Sequence, residues 1–358
     1  MSEKNNLLEI RDLRVEYRSG GRIVHAVNGL DLSIGEGETL GFVGETGAGK
    51  TSTALAVLRI LPQPLSKVTG GEILFRGKNL LEHDNKTMRQ IRGKEIAMIF
   101  QDPMTSLDPV KRVSDQIEEM LRLHENLSRK ELRERALQML EVVGIDRNRG
   151  NDYPHQFSGG MKQRVVIAMA LSCNPALLIA DEPTTALDVT IQAQVLELMK
   201  KLKEQYRMSM IMITHDLGIV AEICDNVAIM YAGQVVEYGT VREIYRNTAH
   251  PYTQALFDSI PSLTEDQEEL KMIQGLTPDP TAIPTGCAFH PRCPYATERC
   301  AREAPKKIKL SDTHTVRCFR HEESLSGERK SPITDEGTGE KTASEPQNHH
   351  SPVKGGRA

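Results

Sequence analysis

The stretch Gly44-Glu-Thr-Gly-Ala-Gly-Lys50-Thr51 decides the fold. It matches the phosphate-loop pattern G-x-x-x-x-G-K-[ST], and it lies between a predicted buried strand, Leu40–Val43, and a predicted helix, Lys50–Leu61, that stops at Pro62. Glycines let backbone N–H groups turn towards phosphate oxygens, and a helix N-terminus favours negative charge. A glycine-rich turn that fits by chance is the alternative, but the flanking strand and helix favour a nucleotide site. The residues expected to contact the nucleotide are Gly44, Glu45, Thr46, Gly47, Ala48, Gly49, Lys50, Thr51 and Ser52.

A second strand brings carboxylates to the same chemistry. The apolar run Leu177–Ala180 predicts a core strand that ends at Asp181 and Glu182. In a phosphate-loop protein, Lys50 reaches the β- and γ-phosphates and the Thr51 hydroxyl ligates Mg²⁺, which Asp181 is placed to hold through water. Glu182 would then face the γ-phosphate and polarise an attacking water. Alone, such an Asp-Glu pair is more often the solvated start of a loop.

The rest of the first 255 residues reads as an α/β domain. Short apolar runs and alternating stretches predict strands, and helical patterns separate them. A helical subdomain is predicted at about 105–170, where Ser128 and Glu131 form a capping-box pattern and helical spacing continues to Gly144. Prolines recur from His250 onward, and the composition beyond about residue 322 predicts a tail that does not fold.

Composition narrows the class of protein. The 358 residues carry 45 Lys plus Arg against 49 Asp plus Glu, a formal net charge of −4 with a pI near 6.3. This balance argues against binding nucleic acid by bulk charge. No apolar run approaches the roughly 20 residues that span a bilayer, and the N-terminus has no signal-peptide pattern. The sequence therefore predicts a cytoplasmic protein.

The segment Phe157-Ser-Gly-Gly-Met-Lys-Gln-Arg164 resembles the signature of the ATP-binding cassette (ABC) transporter ATPases. The usual signature is Leu-Ser-Gly-Gly-Gln, and Phe157 and Met161 depart from it in a way that resembles the peptide-importer branch. Ser158 with Gly159 and Gly160 at a helix N-terminus would form a second anion cradle, serving a nucleotide held by another subunit. A serine N-cap with flexible glycines is the alternative for this tetrapeptide alone.

Further motifs follow in the order of that family. Gln101 resembles the Q-loop glutamine that contacts Mg²⁺ and relays motion from membrane subunits. Asp188, in Ala186-Leu-Asp, resembles the D-loop at a dimer seam, and His215 resembles the switch histidine at the γ-phosphate. Tyr17 stands where the family places an aromatic that stacks on adenine. The resemblance implies catalytic roles for Glu182, His215 and Gln101, nucleotide contacts by Tyr17, Ser158, Gly159, Gly160, Met161 and Asp188, and Mg²⁺ contacts by Thr51, Gln101 and Asp181.

Met104–Pro109, His250–Thr253 and the region from Gly286 to Cys318 resemble the oligopeptide/dipeptide importer branch. The resemblance implies an ATPase that uses ATP and Mg²⁺ at the cytoplasmic face of the membrane. Its partners would be two transmembrane permease subunits, a second ATPase subunit, identical or paralogous, and, indirectly, an extracytoplasmic peptide-binding protein. The expected domains are the ATPase at 1–255, a peptide-importer C-terminal domain at 256–322 and a disordered tail at 323–358.

Two alternatives remain at this level. The first concerns the cargo: an importer of nickel or glutathione would have a similar ATPase, because the ATPase does not contact the cargo. A soluble ABC ATPase of DNA repair or translation is disfavoured, because only about 110 residues separate the two glycine motifs, without the sustained heptads of a long coiled coil, and because the chain has a single cassette.

Four of the six cysteines crowd together as Cys287-x5-Cys293-x6-Cys300-x17-Cys318. None of these gaps is the C-x(2–4)-C of structural zinc sites, and Cys293-Pro294 is similar to ferredoxin-type ligands. The spacing, together with the resemblance, favours a [4Fe–4S] cluster over zinc or unligated thiols, with His290 and His314 as less favoured ligands. Such a cluster would staple a region poor in aliphatic residues, or would sense redox state.

Overall fold

A computed structural model describes residues 6–185, 187–259 and 273–322 of the chain. The tail predicted at 323–358 lies outside the described residues. The strands are β1 (Asn6–Ser19), β2 (Arg22–Gly35), β3 (Thr39–Val43), β4 (Ser66–Phe75), β5 (Lys78–Asn79), β6 (Ile96–Ile99), β7 (Leu177–Asp181), β8 (Ser209–Thr214), β9 (Asn226–Tyr231), β10 (Gln234–Thr240), β11 (Ile308–Lys309) and β12 (Thr315–Val316).

Helices cover the sheets and form a separate insert. They are α1 (Lys50–Val57), α2 (Asn85–Ile91), α3 (Pro103–Ser106), α4 (Val113–His124), α5 (Arg129–Val142), α6 (Gly159–Leu171), α7 (Val189–Tyr206), α8 (Leu217–Ile223), α9 (Val241–Arg246), α10 (Pro251–Asp258) and α11 (Glu298–Arg302). No helix of the described ranges is both long and apolar enough to cross a membrane.

A mainly parallel sheet forms the centre, in the order β11-β12-β10-β9-β3-β8-β7-β6. The strands from β9 to β6 are parallel, and β10, β12 and β11 continue the sheet in antiparallel pairs. All five residues of β7 are buried, because alternate side chains enter two different cores. Burial on both faces explains why the sequence shows a continuous apolar run there and no alternation.

The antiparallel sheet β2-β1-β4-β5 packs on one face of this centre. The strands β3, β6, β7 and β8 all end at the same edge of the central sheet, since they run parallel. The phosphate loop, Gln101, Asp181 and His215 follow those four strand ends. The carboxyl edge of a parallel sheet is the usual ligand site of such folds, so the topology itself assembles the predicted residues.

The range predicted for the helical insert, about 105–170, holds α4, α5 and nearly all of α6. Ser128 and Glu131 form the reciprocal capping box at the start of α5, and α5 buries Leu132, Ala136, Met139 and Leu140. The chain leaves α5 through Gly144, whose φ is +77°. The helices α4, α5 and α6 share one core with the neighbouring face of the sheet.

Two predicted element boundaries were wrong. The helix expected at Lys50–Leu61 ends at Val57, because Arg59 takes a left-handed conformation with φ of 51° before Pro62 is reached. The strand expected at Ile96–Phe100 ends at Ile99, and Phe100 is 44% exposed. In both places the apolar run continues beyond the residue at which the regular helix or strand ends.

The C-terminal region contributes to the central sheet. The strand β12 pairs with β10, and β11 pairs with β12. Phe289, Ile308 and Val316 are buried, and the described residues belong to one compact unit that spans Met1–Glu322. The domain boundary expected at residue 255 stays a prediction.

Candidate nucleotide site

The phosphate loop connects the fully buried strand β3 to the helix α1. Two of its glycines are required by close backbone approaches. A Cβ atom at Gly44 would lie 2.3 Å from the Met230 carbonyl oxygen, and one at Gly49, whose φ is +106°, would lie 2.2 Å from the Ala26 carbonyl oxygen. Any side chain at either position would therefore force the loop to move.

Lys50 is buried beneath this loop, with 7% of its surface exposed. Its Nζ donates hydrogen bonds to the carbonyl oxygens of Gly44 at 2.6 Å and Glu45 at 3.1 Å. Burial lowers the pKa of Lys50, and the negative charges of Glu182, Asp181 and Glu45 oppose this shift. The ammonium group is thus held at the loop, where a phosphate would replace the carbonyl contacts.

Thr51 and Asp181 place two oxygen atoms beside the loop. The Thr51 hydroxyl donates to Oδ2 of Asp181 at 2.8 Å, and Asp181 is 2% exposed. Burial raises the pKa of Asp181, the nearby charge of Glu182 also raises it, and the Thr51 hydrogen bond opposes the shift. A buried carboxylate with so little compensation favours a cation next to it.

Glu182 takes a left-handed backbone conformation, with φ of 46°, directly after β7. The Gln101 amide and the Thr185 hydroxyl donate to its Oε2 at 2.9 Å and 3.0 Å, and Nδ1 of His215 lies 3.3 Å from its Oε1. Burial acts to raise the pKa of Glu182, but hydrogen bonds from His215 and Thr185 lower it overall. The carboxylate is therefore fixed in position and kept ionised, in a backbone state that costs strain energy in a non-glycine residue.

These elements surround one cavity of about 500 Å³. Tyr17 is part of its wall and donates a hydrogen bond to the Ser52 hydroxyl at 3.1 Å. The lining residues are Tyr17, Val24, Ala26, Thr46, Gly47, Ala48, Gly49, Lys50, Thr51, Ser52, Gln101, Glu182, His215 and Pro280. The structure thus brings together nearly all the residues predicted for one nucleotide, from the Tyr17 ring to the Glu182 carboxylate.

The sequence reasoning missed Thr185 and three residues of the cavity wall, Val24, Ala26 and Pro280. Thr185 lies three residues after Glu182, where its hydroxyl reaches back to the carboxylate, and that spacing was a usable signal. Pro280 lies far along the chain, in a proline-rich stretch with no motif, and no sequence signal pointed to it. Its carbonyl oxygen accepts a hydrogen bond from the His25 backbone N–H at 2.8 Å, which brings the C-terminal region to the wall of the cavity.

The second anion cradle lies apart from this cavity. Ser158 caps α6 by accepting from the Met161 N–H at 3.4 Å, and Asp188 caps α7 by accepting from the Ile191 N–H at 2.9 Å. A Cβ atom at Gly160 would lie 2.4 Å from a side-chain atom of Ile191, so the starts of α6 and α7 pack closely. None of Ser158, Gly159, Gly160, Met161 and Asp188 lines the cavity of its own chain. Ala186 lies outside the described residues.

The four clustered cysteines are free thiols in one small region. Burial raises the pKa of Cys287 to about 11 and also raises the pKa values of Cys293 and Cys318. Within the described ranges, no three His, Cys, Asp or Glu side chains form a group that could hold a metal ion. His314, a less favoured ligand, is instead buried with its Nε2 2.8 Å from Oε1 of Glu237.

A phosphate loop, two carboxylates after β7 and a histidine after β8, with a helical insert on one side, define an ABC ATPase. Residues 27–185 match the family model described as ABC transporter, and residues 236–300 match that of the oligopeptide/dipeptide transporter C-terminal region. The chain therefore belongs to the ATP-binding subunits of oligopeptide/dipeptide ABC transporters, which couple ATP hydrolysis to peptide import.

Individual relatives and solved structures agree with this assignment. The chain is 51% identical to the oligopeptide transport ATP-binding protein OppD of Bacillus subtilis, over 89% of this chain and 90% of that protein. It is 47% identical to the dipeptide transport ATP-binding protein DppD of the same organism, over 90% and 99%. A solved dimeric, post-hydrolysis structure of the ATP-binding cassette MJ0796, bound to ADP and Pi, is similar with a TM-score of 0.59 and 28% identity, covering 66% of this chain and 99% of that one.

Proposed function

We propose that Glu182 is the general base of ATP hydrolysis in this cavity. The observation that carries the proposal is the restraint on its carboxylate, which Gln101, Thr185 and His215 hold beside the phosphate loop. An ionised carboxylate at that position can orient a water molecule for in-line attack. A strained backbone conformation and a side chain fixed by three neighbours are typical of a catalytic residue.

The proposed reaction needs only ATP and water as reactants. The water oxygen forms a bond to the γ-phosphorus, its proton moves to Glu182, and the bond from the γ-phosphorus to the bridging oxygen of ADP breaks. Lys50 holds the β- and γ-phosphate oxygens, and His215 contacts the γ-phosphate where charge develops. The proton on Glu182 then leaves to phosphate or solvent, which restores the ionised base.

The residues present fit a magnesium ion. Thr51 and Asp181 offer a hydroxyl and a carboxylate oxygen, the hard ligands that Mg²⁺ prefers, and Gln101 adds an amide oxygen within the cavity wall. When bound, Mg²⁺ would neutralise the charge that develops on the phosphate groups. The raised pKa of Asp181 supports this assignment, because a cation would stabilise the ionised form that burial disfavours.

The second cradle supports a two-subunit arrangement. Ser158, Gly159, Gly160, Met161 and Asp188 lie outside the cavity of their own chain, and they would contact the nucleotide bound by a second ATPase subunit. Two ATP molecules would then be held between two subunits, each by the loop of one chain and the cradle of the other. The dimeric cassette structure supports this arrangement by analogy.

Exposed apolar residues, one directly before Gln101 in sequence and two on the helical insert, support a contact with permease subunits. Phe100 is 44% exposed directly before Gln101, and Val110 and Leu123 of the helical insert are 79% and 70% exposed. Apolar side chains left on the surface beside a mechanistic residue are suited to a partner protein. The chain would act at the cytoplasmic face of the membrane, bound to two permease subunits that receive peptide from an extracytoplasmic binding protein.

We also propose that the four cysteines bind a [4Fe–4S] cluster. The support for this proposal is the sequence, in which four of the six cysteines lie within residues 287–318 at gaps that differ from those of structural zinc sites. Anaerobically purified protein should contain about four iron and four acid-labile sulfide per chain; one zinc per chain, or no metal, would contradict the proposal.

The replacement Glu182→Gln tests the catalytic assignment. Phosphate release should fall at least 100-fold, within the range typical of a lost general base, while ATP binding stays within threefold. The exposed Glu197→Gln change on α7 is the matched control and should leave both unchanged. Steady hydrolysis by the Glu182→Gln protein would remove Glu182 from this role.

A further inference from the structure

An acidic side chain occupies the phosphate loop itself. Glu45 is the second residue of the loop, and its charge is felt at Lys50, where it opposes the lowering of the pKa by burial. A triphosphate carries several negative charges, so an unpaired carboxylate at this position would repel the nucleotide that the loop binds. Lys50 lies within reach of this charge, but its Nζ is hydrogen-bonded to carbonyl oxygens, so the Glu45 carboxylate needs a direct partner of its own.

Arg292 provides that counter-charge from the C-terminal region. Its Nη1 lies 2.7 Å from Oε2 of Glu45 and its Nη2 lies 3.0 Å from Oε1, which makes a bidentate pair across 247 residues of sequence. The Arg292 side chain is 5% exposed and the Glu45 side chain 25%. Its Nε donates to the Gln274 carbonyl oxygen at 3.1 Å, so the planar group is fixed on both edges.

The segment that carries Arg292 is anchored in the ATPase core. Phe289 is 2% exposed and packs against Tyr231 and Tyr252, with ring centroids 5.2 Å and 5.4 Å away. The Tyr252 hydroxyl in turn accepts the backbone N–H of Glu45 at 3.0 Å. The same aromatic cluster thus contacts both the Glu45 backbone and the segment that carries Arg292.

We propose that Arg292 is a positioning residue of the nucleotide site, which neutralises Glu45 and so lets the phosphate loop accept the triphosphate. This inference rests on the proposed function, because it assigns a further role at the same site. It gives the C-terminal region a direct share in ATP binding, through a residue that immediately precedes Cys293. Loss of Arg292 should raise the KM for ATP and leave kcat nearly unchanged, since Glu182 and its three partners are untouched.

The test measures Mg-ATP binding to the purified full chain by calorimetry. Arg292→Met keeps the length and apolar stem of the side chain and removes the charge. It should weaken ATP binding at least tenfold, with kcat within threefold. Glu45→Gln alone should bind ATP at least threefold more tightly than the wild type, because it leaves Arg292 as an unpaired cation at the phosphate loop. The double variant Arg292→Met/Glu45→Gln should return to within threefold of wild-type affinity.

Rescue by Glu45→Gln separates neutralisation of charge from a merely structural role. A double variant as weak as Arg292→Met would overturn the proposal, and so would wild-type affinity in Arg292→Met. If Arg292→Met does not fold, Glu45→Gln still decides, because unchanged or weaker affinity in that single variant contradicts repulsion by Glu45. Absence of saturable ATP binding by the wild-type chain would instead contradict the proposed function.

Discussion

Two buried carboxylates on strands of the same sheet have pKa values shifted in opposite directions. Asp181, at the end of β7, is 2% exposed, and burial raises its pKa, with only the Thr51 hydroxyl and the Lys50 charge opposing. Glu237, on β10, is 1% exposed; burial alone would raise its pKa, but several hydrogen bonds lower it overall. The effect of burial is only partly offset at Asp181, and it is more than offset at Glu237.

The partners of Glu237 explain the difference. It accepts the backbone N–H groups of Ala249 and His250 at 2.7 Å and 2.9 Å, and Nε2 of His314 lies 2.8 Å away. Since His314 belongs to the C-terminal region, Glu237 helps to fix that region on the ATPase core. Asp181 instead pays a desolvation cost that the protein only partly offsets, and a bound cation would offset the remainder. Functional sites often show such a cost, and structural sites are usually satisfied internally.

Asp181→Asn should have the largest effect in this comparison. The replacement would remove the proposed Mg²⁺ contact, and we expect the rate of phosphate release to fall at least 100-fold, which corresponds to about 3 kcal/mol of barrier. The raised pKa means that ionised Asp181 costs stability at pH 7, so the free energy of unfolding without nucleotide should increase. Urea unfolding at pH 7 without nucleotide, alongside a phosphate-release assay, checks both results.

The matched control for Asp181→Asn is Asp312→Asn, on an exposed side chain in the C-terminal region. That change should leave the rate and the stability near wild-type values. Lower stability of the Asp181→Asn protein would show that Asp181 is satisfied internally after all, and the contrast with Glu237 would then disappear.

The nucleotide site was largely predictable from sequence because its residues belong to short contiguous motifs. Gly44–Ser52, Gln101, Asp181–Glu182 and His215 each follow a strand that apolar runs identify, and parallel strands bring those ends to one edge. The motifs indicated which residue types contact a nucleotide, and the strands indicated where in the fold these residues lie. Only local boundaries failed, as at Val57 and Ile99, where backbone conformation ends an element inside an apolar run.

The docking of the C-terminal region was not predictable in the same way. The contacts of Arg292 with Glu45, of His314 with Glu237, and of Pro280 with His25 join residues that are 77 or more positions apart. No periodicity or motif marks such pairs in a single sequence. Composition suggested that the region needs a metal to hold it, yet Phe289, Ile308 and Val316 provide buried apolar contacts as well.

Glu237→Gln should have the second largest effect and should act on stability. Glutamine would replace one carboxylate oxygen by an NH₂ group, which cannot accept a hydrogen bond. The buried backbone N–H group of Ala249 or His250 would then lose its acceptor. We expect a loss of about 3 kcal/mol of unfolding free energy. Hydrogen exchange should increase most around β12, and intrinsic ATP binding should stay within threefold. Unchanged protection of residues 308–316 would contradict the role of Glu237 as an anchor.

The pH dependence of stability should show the smallest effect and the clearest sign. The folded-state pKa of Glu237 lies below the ordinary value of 4.5, so its contribution is present above pH 4.5 and is lost as the pH falls through the folded pKa. Wild-type protein should therefore lose its advantage in unfolding free energy over Glu237→Gln on acidification below pH 4.5.

The opposite sign is expected for Asp181, because its folded-state pKa is raised. The destabilisation that ionised Asp181 causes at neutral pH should disappear as acid protonates it. The stability advantage of Asp181→Asn should therefore shrink over a higher pH range. Urea unfolding of the three proteins at several pH values measures both differences. If the two differences declined over the same pH interval, the two carboxylates would not have oppositely shifted pKa values.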